Sequence, residues 1–280
     1  MTSIYPCLWF DGKAKDAGAF YCSVFNNSKI VSENNIVVNF EIDGFKIMAL
    51  NGGPMFSITP AISLYVNCYS EEEIDTLWNK LIDGGSAMMT LQKYPFAEKY
   101  GWVKDKFGMT WQLILGGSAN DKVKIKPAFL FVGNQYGNAL NAVTDYTNLF
   151  TASNIIHHQL YGENMPENMK GKLMFSLFNI GDKDFVAMDG PGEHAYTFTE
   201  GVSIVVECET QADIDLYWNT LTKDGQESMC GWLKDKYGVS WQIVPSILGK
   251  LMSDPNKSQQ VMAAFLKMKK FDIQTLLDAK

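Results

Sequence analysis

Several patterns that would announce a function are missing from this 280-residue sequence. Histidine occurs three times, at His157, His158 and His194, so the first half contains none and cannot assemble a serine, histidine and acid combination. The five cysteines (Cys7, Cys22, Cys68, Cys208, Cys230) form an odd set without C-x-x-C spacing, which excludes a disulfide framework and a zinc knuckle. The formal charge of −7 is spread along the chain without a long lysine or arginine cluster, so the electrostatic footprint of a nucleic-acid binder is lacking. No apolar run approaches the roughly 18 residues of a membrane span, and the opening MTSIYPCLWF lacks the charged region and apolar core of a signal peptide. A cytoplasmic chain with neither nucleic acid nor membrane as partner is the expectation.

What is present is ordinary globular composition, 46% apolar and 20% charged, arranged as a repeat. WVKDKFGMTWQ (102–112) returns as WLKDKYGVSWQ (232–242), and ISLYVNCYSEEEIDTLWNKLIDGG from Ile62 returns as VSIVVECETQADIDLYWNTLTKDG from Val202. The two offsets, 130 and 140, differ by ten residues, so the second copy lacks a segment corresponding to MMTLQKYPFA. FKIMALNGGP likewise matches DFVAMDGPG, and PCLWFDGKAKDAGAFYCSVF more faintly matches AFLFVGNQYGNALNAVTDYTNLF.

Periodicity in the first copy predicts a strand over 4–10, a helix bearing Ala14, Ala17, Phe20, Tyr21, Val24 and Phe25, then strands over 29–33, 36–42 and 45–50. Asp43-Gly44 predicts a two-residue hairpin turn. The order then recurs: a strand over 62–69, a helix opened by a Ser70/Glu73 capping box and ended by Gly84-Gly85, and strands near 86–91, 101–104 and 110–115. The β-α-β-β-β order therefore runs twice per copy. The expected domains are 1–117 and 127–248, with a polar linker over 118–126 and a helical tail over 249–280. Ser253 or Asp254 is the expected cap of a tail helix carrying Val261, Phe265 and Met268, followed by a turn with Ile273, Leu276 and Leu277. This tail docks on the tandem body or on a second chain.

The doubled β-α-β-β-β order, CLWFDG, ALNGGP, the W-x-K-D-K-x-G-x-x-W-Q hairpin and the MAAFLKMKKFDI tail together resemble one family. It is the PhnB-like, or 3-demethylubiquinone-9 3-methyltransferase-like, branch of the glyoxalase/bleomycin-resistance (vicinal oxygen chelate) superfamily. The resemblance implies an α+β fold of tandem glyoxalase-like domains, each of two βαβββ units curling into an incomplete barrel whose concave face holds a ligand or a divalent metal. The metal positions it carries over are Tyr5, Ala61 and Gln112 in the first copy, and about Pro127, Gly201 and Gln242 in the second. Only the two glutamines could ligate, and a lone amide oxygen is a poor site for an ion that needs three or four N, O or S ligands. No metal and no cofactor are therefore expected. The glycines of LNGGP and LILGGS do not follow a strand of a parallel sheet in the manner of a nucleotide-binding turn, so no residues support S-adenosylmethionine binding.

Strand alternation sets Ser63, Tyr65, Asn67, Thr110, Gln112 and Ile114 toward the concavity, and Leu64, Val66, Cys68, Trp111, Leu113 and Leu115 toward the helices. Tyr5, Cys7 and Trp9 complete the first wall, with Asn51 near it. The corresponding second set is Phe129, Phe131, Ser203, Glu207 and Gln242, with Asp189 where the first copy has Asn51. Asn51 and Asp189 either touch ligand or cap the turns that they precede. Gln112 and Gln242 either touch ligand or are buried amides tied to their neighbours. The tryptophans are expected in the core, Lys104-Asp105-Lys106 in a solvated turn, and the histidines at solvent-facing edges. The function that follows is metal-free binding of a small molecule. The alternative is an enzyme of the superfamily, a lyase, isomerase or methyltransferase, recruiting His194 or a residue of another chain in a homodimer.

Overall fold

A computed structural model describes residues 3–116 and 124–279. Part of LILGGS and the expected linker through residue 123 lie outside these. The chain divides into two compact units, Pro6–Val202 and Met1–Tyr5 with Ser203–Lys280. Among the described residues no helix is long and apolar enough to cross a membrane.

In the larger unit, the part of β1 (Ser3–Phe10) from Pro6 onward leads into α1 (Ala14–Val24), β2 (Ser28–Glu33), β3 (Val37–Ile42) and β4 (Phe45–Asn51). The Asp43-Gly44 turn forms as expected, with φ of 49° and 76°, the paired left-handed values of a tight hairpin. The order recurs as β5 (Ile62–Cys68), α2 (Glu71–Ile82), β6 (Ser86–Tyr94), β7 (Ala97–Lys104) and β8 (Thr110–Leu115). Ser70 Oγ accepts the Glu73 N–H at 3.1 Å, and Glu73 Oε2 accepts the Tyr69 N–H at 2.7 Å, so both residues of the capping box act on the start of α2. A third round comprises β9 (Ile125–Phe131), α3 (Ala139–Leu149), β10 (Asn154–Leu160), β11 (Leu173–Ile180) and β12 (Lys183–Asp189).

Eight of these strands make one sheet in the order β10-β11-β12-β9-β5-β8-β7-β6. Its centre is the antiparallel pair β5 and β9, with Tyr65 opposite Lys126 and Ser63 opposite Ala128. Alternation gives each strand a helix side and a free side. Leu64, Val66, Trp111 and Leu113 are buried on the helix side, where Trp111 meets the rings of Tyr21 on α1 and of Phe25 just after it at centroid distances of 5.2 Å each. The sheet curls toward its free side. β5 and β11 are separated by β9 and β12, about 14 Å at ordinary strand spacing, yet the Tyr65 and Phe175 rings lie 6.1 Å apart.

The smaller unit contains β13 (Val202–Cys208), α4 (Gln211–Thr222), β14 (Gln226–Glu227), β15 (Trp232–Lys234) and β16 (Ser240–Pro245). The ten missing residues shorten the β14–β15 hairpin to strands of two and three residues, against nine and eight for β6 and β7. The tail folds as α5 (Leu248–Met252), α6 (Ser258–Phe265) and α7 (Ile273–Leu277). It docks beside this short hairpin. Cys230 N–H donates to Met268 O at 2.7 Å and Gly231 N–H to Lys269 O at 2.8 Å. Gln211 fixes the turn before α7, its Nε2 donating to Phe271 O and its Oε1 accepting from Ile273 N–H. The expected cap differs: Ser253 closes α5, donating to Gly249 O, while Asp254 accepts from Asn256 N–H and α6 begins after Lys257 without a side-chain cap.

Candidate functional site

The repeated hairpin is held by its aspartate. Asp105 Oδ1 accepts from Phe107 N–H (2.8 Å) and Met109 N–H (3.1 Å), and Oδ2 accepts from the Trp111 indole (2.8 Å). Asp235 repeats this with Tyr237 N–H, Val239 N–H and the Trp241 indole at 2.9, 3.0 and 2.9 Å. Asp105 is 2% exposed, so the centre of the K-D-K run is not solvated as expected. Burial pushes its carboxyl above the usual range against the opposing pull of its hydrogen bonds. The W-x-K-D-K-x-G-x-x-W-Q spacing thus joins a turn and a core tryptophan through one carboxylate.

The terminal glutamines face the other way. Gln112 Nε2 donates to Ser63 Oγ at 2.7 Å, and its Oε1 accepts from the Tyr100 hydroxyl at 2.7 Å. Gln242 Nε2 donates to Ser203 Oγ at 2.9 Å. Around Gln112 the register defines a row across the free face: Trp102 opposite Gln112, Gln112 beside Tyr65, and Tyr65 opposite Lys126. Tyr65, Tyr100, Ala128 and Val186 form the buried floor, with half-buried Met89, Ile114, Phe175 and Met188 against it. Burial raises the Tyr65 phenol, and burial followed by the neighbouring phenols Tyr65 and Tyr94 raises that of Tyr100, so both remain O–H donors at neutral pH. Lys126 is buried on this face, and its charge lowers the carboxyl of Asp184, whose larger shift is upward from burial.

The other expected residues do not join this row. Asn51 Oδ1 accepts from Ala14 N–H at 2.9 Å and its Nδ2 donates to Asn35 O at 3.0 Å. Asp189 Oδ1 accepts from Gly137 N–H (2.7 Å) and Ala139 N–H (3.3 Å), and Oδ2 accepts from Leu173 N–H (2.9 Å). Each therefore ties the start of a helix to a strand end, the capping role. The amide-for-carboxylate exchange follows from the second partner: a carbonyl at Asn35 requires a donor, an N–H at Leu173 an acceptor. Phe129 and Phe131 lie on the helix side, packed on Tyr146, Phe185 and Phe198, because Ala128 and not Phe129 shares the face of Ser63. Trp9 donates to Gly53 O at 2.7 Å and closes over Gly52, where a Cβ would come within 2.2 Å of the indole. In the smaller unit Tyr5 donates to Glu207 Oε1 at 2.6 Å.

The donor set does not fit the superfamily's metal. Gln112 Oε1 accepts from the Tyr100 hydroxyl, and Gly201 backs onto Ser57, whose carbonyl oxygen would lie 2.2 Å from a Cβ there. Among the described residues no three His, Cys, Asp or Glu side chains converge. His157 and His158 are exposed on β10, opposite Leu177 and Ser176 respectively. His194 is held in a loop with Nδ1 3.1 Å from the Tyr196 hydroxyl and Nε2 3.2 Å from Pro191 O.

Sequence reasoning missed Tyr100, Trp102, Lys126 and Phe175. Tyr100 precedes the residue where the strand near 101–104 was expected to begin, and Lys126 was assigned to the linker. The continuous apolar run from Ala128 to Phe131 carries no alternation from which a face could be read.

A curled sheet built from β-α-β-β-β rounds defines a glyoxalase-like protein. Glyoxalase I from Zea mays shares this fold, with a TM-score of 0.59 and 10% identity over 90% of this chain and 96% of that one. The model of the 3-demethylubiquinone-9 3-methyltransferase family matches residues 2–114 and 123–244, and the chain belongs to that family, within the PhnB-like part of the glyoxalase superfamily. A PhnB protein from Bacillus cereus is 41% identical over 40% of this chain and 98% of its own, with a TM-score of 0.38. No curated protein matches the chain.

Proposed function

We propose that the chain binds a small, largely apolar planar molecule on the free face of the β5–β12 sheet, and that no divalent metal takes part. The observation that carries this reading is the Tyr100–Gln112–Ser63 chain of hydrogen bonds, which occupies the superfamily's ligand position with a satisfied amide. The surrounding side chains are aromatic, thioether and aliphatic with a few polar groups, the mixture that small-molecule sites use. His194 is tied to its own loop through Tyr196 and Pro191, which supports binding over an enzyme that recruits this ring. Elemental analysis of the purified protein, paired with a thermal-shift screen of planar aromatic compounds, tests the proposal. It expects far less than one divalent ion per chain, melting unchanged by a chelator, and stabilisation by members of the screen. A stoichiometric ion that is lost in Gln112→Ala would overturn it.

A further inference from the structure

Four indole N–H groups among the described residues are placed on acceptors: Trp9 on Gly53 O, Trp111 on Asp105, Trp218 on Glu227 and Trp241 on Asp235. Trp102 departs from this. Its Nε1 is buried without a hydrogen-bond partner among the described residues, a state that costs about 1–3 kcal/mol relative to a satisfied donor. The acceptor nearest in register does not relieve it: Gln112 Oε1, opposite Trp102, accepts from Tyr100 and makes no bond to the indole. A purely structural role makes no use of this N–H.

We infer that Trp102 is the specificity-determining donor of the β5–β12 face, and that its ligand is a planar apolar molecule carrying a neutral acceptor such as a carbonyl oxygen. The inference rests on the proposed ligand face and adds to it the chemistry that the ligand must bring. Tyr65, one strand beyond Gln112 in the same row, and Phe175 supply ring faces for the ligand body. Met89 lies opposite Trp102 in a strand pair broken by three register shifts. It is the flexible side chain that moves to admit the acceptor. This hairpin is the one whose extension the other copy lacks, so the selectivity belongs to this face alone. Pairing a donor that is otherwise orphaned discriminates strongly against ligands without the acceptor.

The test compares 9-fluorenone with fluorene, which share a planar body and differ in one carbonyl. Calorimetric titration of the full chain is expected to give about tenfold tighter binding of fluorenone, the equivalent of about 1.4 kcal/mol for one added hydrogen bond. In a proton–nitrogen spectrum the Trp102 indole signal, assigned by its loss in Trp102→Phe, shifts downfield with fluorenone and not with fluorene. Trp102→Phe binds both probes equally. Equal affinities in the wild-type protein, or an unmoved Trp102 signal, would overturn the inference while leaving a ligand face in place. Failure of both probes to bind would overturn the ligand face and the inference together. The ratio of the two affinities in the wild-type protein decides the matter even where the variant fails to fold.

Discussion

Replacing Asp189 by asparagine separates the capping account from ligand binding. The carboxylate receives three backbone N–H groups, two on Oδ1 and that of buried Leu173 on Oδ2. Asparagine can keep its oxygen on Gly137 and Ala139, but its NH₂ then faces the Leu173 N–H, donor against donor. One charge-assisted bond is lost and one buried N–H is left unpaired, together about 3 kcal/mol. At about 2–4 °C per kcal/mol for a chain of this size, melting falls by about 6–12 °C in a calorimetric scan. The mirror exchange, Asn51→Asp, sets a carboxylate against the Asn35 carbonyl at a more exposed site, so its cost is smaller, about 1 kcal/mol. An Asp189→Asn protein melting within 1 °C of wild type would refute the capping assignment.

Asp105→Ala and Asp235→Ala each strand a buried indole N–H and two turn N–H groups, and chemical denaturation should register a loss of about 3 kcal/mol or more in each variant. Cys68 and Cys208 are buried with thiols pushed up to about 12, mainly by burial. At pH 8 a maleimide should therefore label half-buried Cys22 and Cys230 well before these two, and mass mapping of labelled peptides checks the order. Gly231 has φ of 79°, and a Cβ there would lie 2.6 Å from both Ile243 O and the Phe271 ring. Gly231→Ala should loosen the tail, seen as faster proteolytic cleavage between residues 250 and 275.

Much of the fold was legible because each round announces itself by period and punctuation. Asp43-Gly44, the Ser70/Glu73 box and the 3.6-residue spacing of Ile74, Leu77 and Leu81 are local signals, and local hydrogen bonds satisfy them. The helix side and free side of β5 and β8 were equally legible, since Ser63, Tyr65 and Gln112 alternate with Leu64, Val66 and Trp111. Which strands share a sheet was not. The pairing of β5 with β9 places Tyr65 opposite Lys126, far along the chain, and no periodicity within either strand encodes that partner. The same limit explains why Tyr5, Trp9 and Asn51 were grouped with Tyr65: they share a sequence repeat and not a free face. Asn51 and Asp189 show a further limit, because the choice between amide and carboxylate is set by one backbone group at Asn35 or Leu173.

The central claim, an organic ligand face whose glutamine holds no metal, is tested most directly by titrating 9-fluorenone into the full chain twice. One titration follows exhaustive chelation and the other follows addition of zinc, nickel or manganese. The account predicts the same affinity in both, with saturation at one probe per chain. Binding that appears only with the metal, and disappears in Gln112→Ala, would contradict it.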